Sequence, residues 1–200
     1  MRPVFVVLAK KSIEKIVLAS VIIVGDGPGG LSAALFLAKN DHDVTVFGTD
    51  KTAMNYAHLY NYLGLPEIAG TEFQRVARGQ ASAVGATLLD EEVSSVIADE
   101  RFTVKTDTGE HVADYLILTE GKNPELALSL GVAVADQTGA IEVDRDNRSS
   151  IDKVYVVGRS VRPTRSQAII SAGAGAVAAL DILAREKGSD VQDWDTPPKD

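Results

Sequence analysis

Short apolar runs alternate with helical periods along the chain, and this pattern predicts an α/β fold. Runs without polar interruption predict strands that are covered on both faces, as in a parallel sheet; they lie at 21–24, 44–47, 116–118 and 154–157. Helices are predicted after the first run, from Thr71 as N-cap to about Val84, and from Ser166 to Glu186.

Between the second and third of these helices the apolar period changes to two. Residues 93–98, 102–106 and 112–118 alternate or run apolar, and the turns between them are Glu100-Arg101 and Thr108-Gly109. This pattern predicts a small antiparallel meander, whose last strand, Leu116 to Leu118, returns to the main sheet. Residues 122–150 read as a loop with short apolar pieces.

The most specific motif joins the first apolar run to the first helix. It reads Gly25-Asp26-Gly27-Pro28-Gly29-Gly30, so a strand, a glycine turn and a helix follow in the order that a dinucleotide-binding turn requires. Gly25 permits the sharp turn, Gly27 lets a pyrophosphate approach the backbone, and Gly30 lets the helix pack closely on the strand. The free N–H groups at the helix start would face the phosphates. A glycine turn with a purely structural role is the alternative.

Together these elements predict one three-layer, Rossmann-like nucleotide-binding domain. Its helices are expected on one side of a parallel central sheet and the small β-meander on the other. We expect the domain to span residues 20–187. Residues 1–19 are interpreted as an N-terminal extension, either an extra strand or helix or a poorly ordered arm, and 188–200 as a flexible acidic tail.

Composition narrows the class of protein. The net charge of −8 argues against a nucleic-acid partner and against an anionic membrane surface. There is no cysteine, which removes disulfides, thiolate nucleophiles and Cys-ligated zinc, and the three histidines have no metal-ligand spacing. We therefore predict no metal site. No apolar stretch approaches membrane-spanning length, so we predict a cytoplasmic protein without a membrane partner. The acidity suits a salt-adapted organism or an ordinary acidic cytosolic protein.

Several segments occur in an order typical of one family. They are the glycine turn, Asn61-Tyr62-Leu63-Gly64-Leu65-Pro66, the strand leading to Thr119-Glu120-Gly121, Val154 to Gly158, and Gln167 to Gly175. Over residues 20–187 they resemble the FAD-binding part of the thioredoxin reductases, so the resemblance implies an FAD/NAD(P)-binding fold with FAD as cofactor. The cofactor-binding residues that it implies are Gly25, Gly27, Pro28, Gly29, Gly30, Asn61, Gly121, Gly158, Gln167 and Ala168.

The chain also departs from that family. An NAD(P)H-binding domain normally follows the strand that ends here at Gly121, but the next strand begins by Val154. The family's redox Cys-x-x-Cys lies in that domain, and this chain has no cysteine. The resemblance therefore implies a minimal FAD-binding flavoprotein, an oxidoreductase or electron-transfer protein rather than a classical thioredoxin reductase.

Three expected flavin-site positions are altered. The glutamate that binds the adenosine ribose falls at Gly48, and Asp50 is a candidate substitute. An Ala-Thr-Gly strand end reads Thr119-Glu120-Gly121, and a Gly-Asp pair has become Gly158-Arg159. Arg159 either makes charge-assisted bonds to the pyrophosphate or indicates that FAD is bound differently or not at all.

Two other functions stay open at this point. The chain is alternatively a non-catalytic nucleotide-binding or regulatory module with a degenerate FAD site. The second alternative is an NADP(H)-binding domain, since Gly48 with Lys51 nearby would tolerate a 2′-phosphate. A separate electron donor or acceptor protein and a homodimer are the expected partners, and no catalytic residue is predicted.

Overall fold

The central layer is a five-stranded, wholly parallel sheet. The computed structural model describes residues 19–196, so the predicted extension before residue 19 and the last four residues lie outside the described residues. The strands are β1 (Ser20–Val24), β2 (Asp43–Phe47), β5 (Thr87–Leu89), β9 (Tyr115–Leu118) and β10 (Val154–Val156). Their order across the sheet is β10-β9-β1-β2-β5.

The remaining elements flank this sheet. The helices are α1 (Pro28–Lys39), α2 (Gly70–Ala83), α3 (Glu125–Ser129) and α4 (Ala168–Lys187), with a 3-10 helix at Ala53–Tyr56. A two-stranded ribbon pairs β3 (His58–Leu59) with β4 (Ile68–Ala69), and the meander consists of β6 (Val93–Ala98), β7 (Phe102–Thr106) and β8 (Glu110–Ala113).

Alternate residues of β1 enter two different hydrophobic cores. Val21 and Ile23 pack with α1, α4 and part of α2, whereas Ile22 and Val24 pack with the meander and α3. Both faces of the strand are therefore covered, which is why its apolar run has no polar interruption. The predicted three-layer α/β fold is confirmed, with α1, α2 and α4 on one side of the sheet; the short α3 lies on the other side, with the β-meander.

Asp114 divides the apolar stretch that we predicted as one strand. Its Oδ2 accepts hydrogen bonds from the backbone N and the Oγ of Ser20, at 2.9 and 2.6 Å, and its Oδ1 accepts one from Arg101 at 2.9 Å. These bonds hold the chain where it leaves the meander as β8 and enters the central sheet as β9.

Several local predictions were wrong. Thr71 is not an N-cap, because α2 begins at Gly70 with Ala69 as its N-cap and no side-chain capping bond. A Cβ on Gly70 would lie 1.9 Å from the Met54 carbonyl oxygen, so close packing on the 3-10 helix fixes this helix start. The edge strand β5 and the short α3 were not predicted from the sequence.

The C-terminal region also differs from expectation. By length and composition α4 is apolar enough to cross a membrane, contrary to the sequence prediction, although Ala178, Ala179 and Ile182 are fully buried in the protein core. Core helices of soluble proteins pass the same test. The predicted flexible tail contacts α1, because Asp193 and Asp195 pair with Lys39 Nζ at 3.2 and 2.7 Å.

Candidate functional site

A cleft of about 930 Å³ opens at the carboxyl ends of the central strands. From β1 the chain continues through α1 to β2 on one side, whereas β9 lies on the other side, so the cleft sits where the strand order changes direction. It is lined by Gly25 to Gly27, Gly29, Phe47 to Thr49, 51–54, 91–95, 119–123, Glu125, Leu126, Ser129, 157–159, 166–168 and Ser171. Parallel α/β sheets bind their ligands in this place.

The glycine turn forms one end of the cleft. Gly25 has a φ of +105°, and its N–H donates to the Phe47 carbonyl at 2.7 Å, which ties the turn to β2. A Cβ on Gly30 would lie 2.0 Å from the Gly25 carbonyl oxygen, so a side chain there would push α1 off the strand. Gly27 is the N-cap of α1 and makes no side-chain capping bond, and the first turn holds no acidic residue. The start of α1 is therefore free to bind an anion.

A second helix start faces the same cleft. Gln167 is the N-cap of α4, again with no side-chain capping bond and no acidic residue in the first turn. Gln167, Ala168 and Ser171 line the cleft. The amide of Asn61 donates to Gln167 Oε1 at 3.1 Å, which brings the loop at 61–66 beside α4. Two uncapped helix starts thus direct their positive ends into one cleft.

A close helix contact fixes these two ends relative to each other. A Cβ on Gly175 would lie 2.0 Å from the Gly29 carbonyl oxygen, and one on Gly29 would lie 2.8 Å from Val157 Cγ1. Glycine at position 175 therefore permits the close approach of α4 to α1.

A buried carboxylate stands between the ends of β1 and β2. The Asp26 side chain is 6% exposed and pairs with Arg78, which also bonds Asp90 Oδ1 at 2.6 Å. Gln74, one helical turn from Arg78, donates to the Asp26 carbonyl at 2.6 Å. A Cβ on Gly48 would lie 2.3 Å from Asp26 Cγ. Asp26 therefore occupies the space that a side chain at position 48 would need.

Glu120 has a structural role at the other side of the cleft. Its carboxylate accepts the backbone N–H groups of Leu126 and Ala127 at 2.7 and 3.0 Å, at the start of α3. Burial raises the pKa of Glu120, and these two hydrogen bonds offset part of that rise. The altered strand end Thr119-Glu120-Gly121 thus holds α3 against the sheet, while Thr119 Oγ1 donates to the Gly25 carbonyl at 2.9 Å.

The charged lining of the cleft is mixed. Its carboxylates are Asp26, Glu91, Glu92, Glu120 and Glu125, and its basic groups are Lys51, Lys122 and Arg159. Arg159 is exposed at the carboxyl side of β10, whereas its neighbours Arg162 and Arg165 do not line the cleft. Within residues 19–196 no cluster of histidine and carboxylate groups is arranged to hold a metal ion.

Most of the predicted cofactor-binding residues meet at this cleft. The lining contains Gly25, Gly27, Gly29, Gly121, Gly158, Arg159, Gln167 and Ala168. Pro28 is the first residue of α1, Gly30 lies behind the turn, and Asn61 reaches the cleft through Gln167. Asp50 instead lines a neighbouring hollow of about 420 Å³ with Gln74 and Arg78.

Sequence reasoning did not select Asp26. The backbone N–H of Asp50 donates to Asp26 Oδ2 at 3.2 Å. Asp50, which we predicted as the substitute for the ribose-binding glutamate, thus holds the Asp26 carboxylate in place. The signal available in the sequence was the pairing of an acidic residue inside the glycine turn with a glycine at position 48.

Comparison with known proteins identifies the class first. A structure of a thioredoxin reductase from Gloeobacter violaceus superposes with a TM-score of 0.81 at 17% identity, covering 89% of this chain and 99% of that one. A ferredoxin-flavin thioredoxin reductase from Clostridium acetobutylicum gives a TM-score of 0.72 at 18% identity, covering 86% and 99%. At such identities the likeness establishes the fold alone, a three-layer, Rossmann-like α/β domain.

Sequence comparison then finds similarity over part of the chain. Residues 19–84 match the pyridine nucleotide-disulphide oxidoreductase family. A thioredoxin reductase from Streptomyces coelicolor is 35% identical over 109 residues, which are 51% of this chain and 34% of that protein. The aligned part thus spans about a third of the length of the curated relatives that the chain matches. Over these matched parts the chain is similar to the thioredoxin reductases and to the pyridine nucleotide-disulphide oxidoreductases, which are flavoproteins that bind FAD.

The cleft fits such a cofactor. Its volume of about 930 Å³ lies in the range of cofactor sites. The amides at the start of α1 are open to a pyrophosphate, and those at the start of α4 to a polar ring edge.

Proposed function

We propose that the chain is an FAD-binding oxidoreductase or electron-transfer protein whose cofactor site is the cleft. The pyrophosphate would bind the amides of Gly27 and Gly29, with Arg159 as a charge-assisted donor. The ring would lie toward Gln167 and Ala168, next to Asn61. The observation that carries this proposal is the pair of uncapped, acid-free helix starts that face one cleft at the switch point of the sheet.

The residues of this chain would bind, orient and polarise. FAD supplies the electron-transfer chemistry when it is bound. The backbone amides at the start of α4 would stabilise negative charge on the ring edge that they face, because they are already oriented toward it. Within residues 19–196 the cleft lining contains no cysteine or histidine, so we assign no thiol nucleophile and no imidazole proton donor to the protein.

We further propose that the electrons come from a separate protein. Between β9 and β10 the described chain holds α3 and one isolated β-bridge, from Val134 to Ile141, in the place where the NAD(P)H-binding domain of thioredoxin reductases would lie. The chain has no cysteine for a dithiol relay. One structural neighbour is named a ferredoxin-flavin thioredoxin reductase, which makes a small iron–sulfur protein the donor to test first.

The contact surface for a partner would adjoin the ring end of the cleft. Exposed apolar side chains are concentrated around the loop that Asn61 joins to α4: Tyr60 is 76% exposed and Leu63 is 88% exposed, and Ile169 lies in the first turn of α4. A donor protein or a second copy of the chain, in a cytoplasmic setting, would cover this surface.

The visible absorption spectrum of the purified protein tests the cofactor. We expect flavin bands that survive the addition of excess FAD followed by desalting, at low and at high salt. Protein without retained flavin under any of these conditions would refute the proposal. With flavin bound, we expect a reduced ferredoxin to bleach the bands faster than NADPH does; faster bleaching by NADPH would refute the separate donor but leave the cofactor standing.

A further inference from the structure

We infer that Asp26 binds the adenosine ribose of the cofactor from within the glycine turn, and that Arg78 is its positioning residue. This inference rests on the proposed FAD site and names the group that reads one end of the ligand. In dinucleotide-binding folds a carboxylate near the ends of the first two strands accepts a hydrogen bond from the ribose 2′-hydroxyl. In this chain the strand that usually provides it ends at Gly48.

Space at this point admits one side chain. Val24 pairs with Phe47 at the ends of β1 and β2. Asp26, two residues after Val24, and Gly48, directly after Phe47, therefore lie close together. A Cβ on Gly48 would meet the Asp26 Cβ at 2.5 Å and its Oδ1 at 2.7 Å. Asp26 and a side chain at position 48 therefore exclude each other, and this chain has its carboxylate in the turn where related folds have it at the end of the second strand.

The Asp26 carboxylate is also held in a fixed orientation. Oδ2 accepts from Arg78 and from the Asp50 backbone N–H, while Gln74 holds the Asp26 carbonyl. These donors anchor Oδ2, whereas Oδ1 lies on the side of Gly48, and Asp26 is one of the residues that line the cleft. A fixed acceptor at the carboxyl end of β1 is what recognition of a ribose hydroxyl requires.

The charge of this acceptor predicts selectivity. Arg78 is already paired with Asp26 and Asp90, so it is not available as a cation for a second phosphate. A 2′-phosphate would be placed against the Asp26 carboxylate, and like charges at this distance repel. The site would therefore accept an unmodified adenosine and reject a 2′-phosphorylated one, which opposes the NADP(H) alternative.

Binding of three nucleotides by calorimetry tests this inference. The ligands are ADP, 2′-deoxy-ADP and ADP that carries a 2′-phosphate. We expect the wild-type protein to bind ADP roughly tenfold or more tightly than either analogue, the ratio expected for one charge-assisted hydrogen bond. In Asp26→Asn we expect the preference over both analogues to fall to about threefold or less, since the charge is lost while the shape is kept.

The reciprocal exchange separates recognition from folding. Asp26→Gly combined with Gly48→Glu removes the steric conflict and returns the carboxylate to the second strand, so we expect the preference for ADP to return. Asp90→Asn is the matched control, because Asp90 also pairs with Arg78 but its side chain is 73% exposed and does not line the cleft. The control should keep the wild-type preference.

The outcomes are distinct. If the wild type binds ADP and FAD but Asp26→Asn keeps the full preference over 2′-deoxy-ADP, the role of Asp26 is refuted and the FAD site stands. If the wild type binds neither FAD nor ADP, both proposals fail. If Asp26→Asn does not fold, the double variant decides: a folded double variant without preference for ADP overturns the inference.

Discussion

At the scale of single residues, Arg159 is the cationic group at the carboxyl end of β10 that faces the cleft. We expect Arg159→Ala to weaken FAD binding about tenfold, because a charge-assisted bond to the pyrophosphate is lost. The measurement is a titration of apoprotein with FAD, followed by flavin fluorescence. The loss should shrink as the salt concentration rises, since salt screens exposed charges.

Arg165→Ala is the matched control for this substitution. Arg165 is exposed and belongs to the same loop, but it does not line the cleft. Equal weakening by both substitutions would show that the general charge of the loop matters and that Arg159 is not a specific ligand.

Some site residues could be predicted from the sequence and others could not. Gly25, Gly27 and Gly29 could be assigned because a phosphate-binding turn is a local motif of fixed spacing. Asp26 could not, because its role depends on Gly48, 22 positions later, and on Arg78 of another helix. Asp50 was chosen by proximity along the chain, but the turn after β2 directs it to the neighbouring hollow. Its role as a ribose ligand remains a prediction without support from its position.

At the scale of elements, the contact between α1 and α4 depends on Gly175. We expect Gly175→Ala to lower the free energy of unfolding by about 1–3 kcal/mol, because the new Cβ would lie 2.0 Å from the Gly29 carbonyl oxygen. The same substitution should weaken FAD binding, since both helix starts would shift. Urea unfolding and FAD titration measure the two effects.

Gly173 provides the control on the same helix. A Cβ there meets nothing within 4 Å, so Gly173→Ala should raise the free energy of unfolding by about 0.5–1 kcal/mol through its better helix propensity. If the two substitutions changed the free energy of unfolding equally, helix propensity alone would explain both, and the contact between α1 and α4 would not contribute to stability.

Elements were predicted well where the apolar period was long. The meander strands Val93–Ala98 and Phe102–Thr106 match the predicted bounds. In the second of them the buried residues Phe102 and Val104 alternate with partly exposed ones, which is the period-two signal of a strand. β5 has three residues, none of them fully buried, and gives no such signal. The start of α2 was misplaced because tight packing of Gly70 on Met54, rather than a capping side chain, begins that helix.

At the scale of the whole molecule, Asp181 joins three parts of the fold. Its carboxylate is 9% exposed and accepts hydrogen bonds from Arg148 Nε at 2.7 Å and from the Tyr155 hydroxyl at 2.6 Å. Burial alone would raise the pKa of Asp181, but the bonds from Arg148 and Tyr155 outweigh it, so its pKa is lowered. The connection before β10, β10 itself and α4 are thus held by one ionised group.

This arrangement predicts a specific acid sensitivity. A lowered folded-state pKa contributes stability above the unfolded value, near 3.9 for Asp, and that contribution is lost as the pH falls through the folded-state pKa. We expect Asp181→Asn to cost about 1–3 kcal/mol at neutral pH and the difference from wild type to disappear in strong acid. Thermal unfolding across the pH range measures this.

Asp152→Asn is the appropriate comparison for Asp181→Asn. Asp152 pairs with Arg185 at 2.6 Å, but its side chain is 73% exposed, and exposed pairs contribute little. A loss as large as that of Asp181→Asn, with the same pH dependence, would contradict the assignment of acid sensitivity to Asp181.

The carbonyl of Gly29 against Gly175 has a consequence for how this fold selects its ligand. Since that contact fixes α1 to α4, the separation between the two anion-attracting helix starts is a constant of the protein. We therefore expect a nucleotide that is too short to reach both helix starts to bind more weakly than one that reaches both.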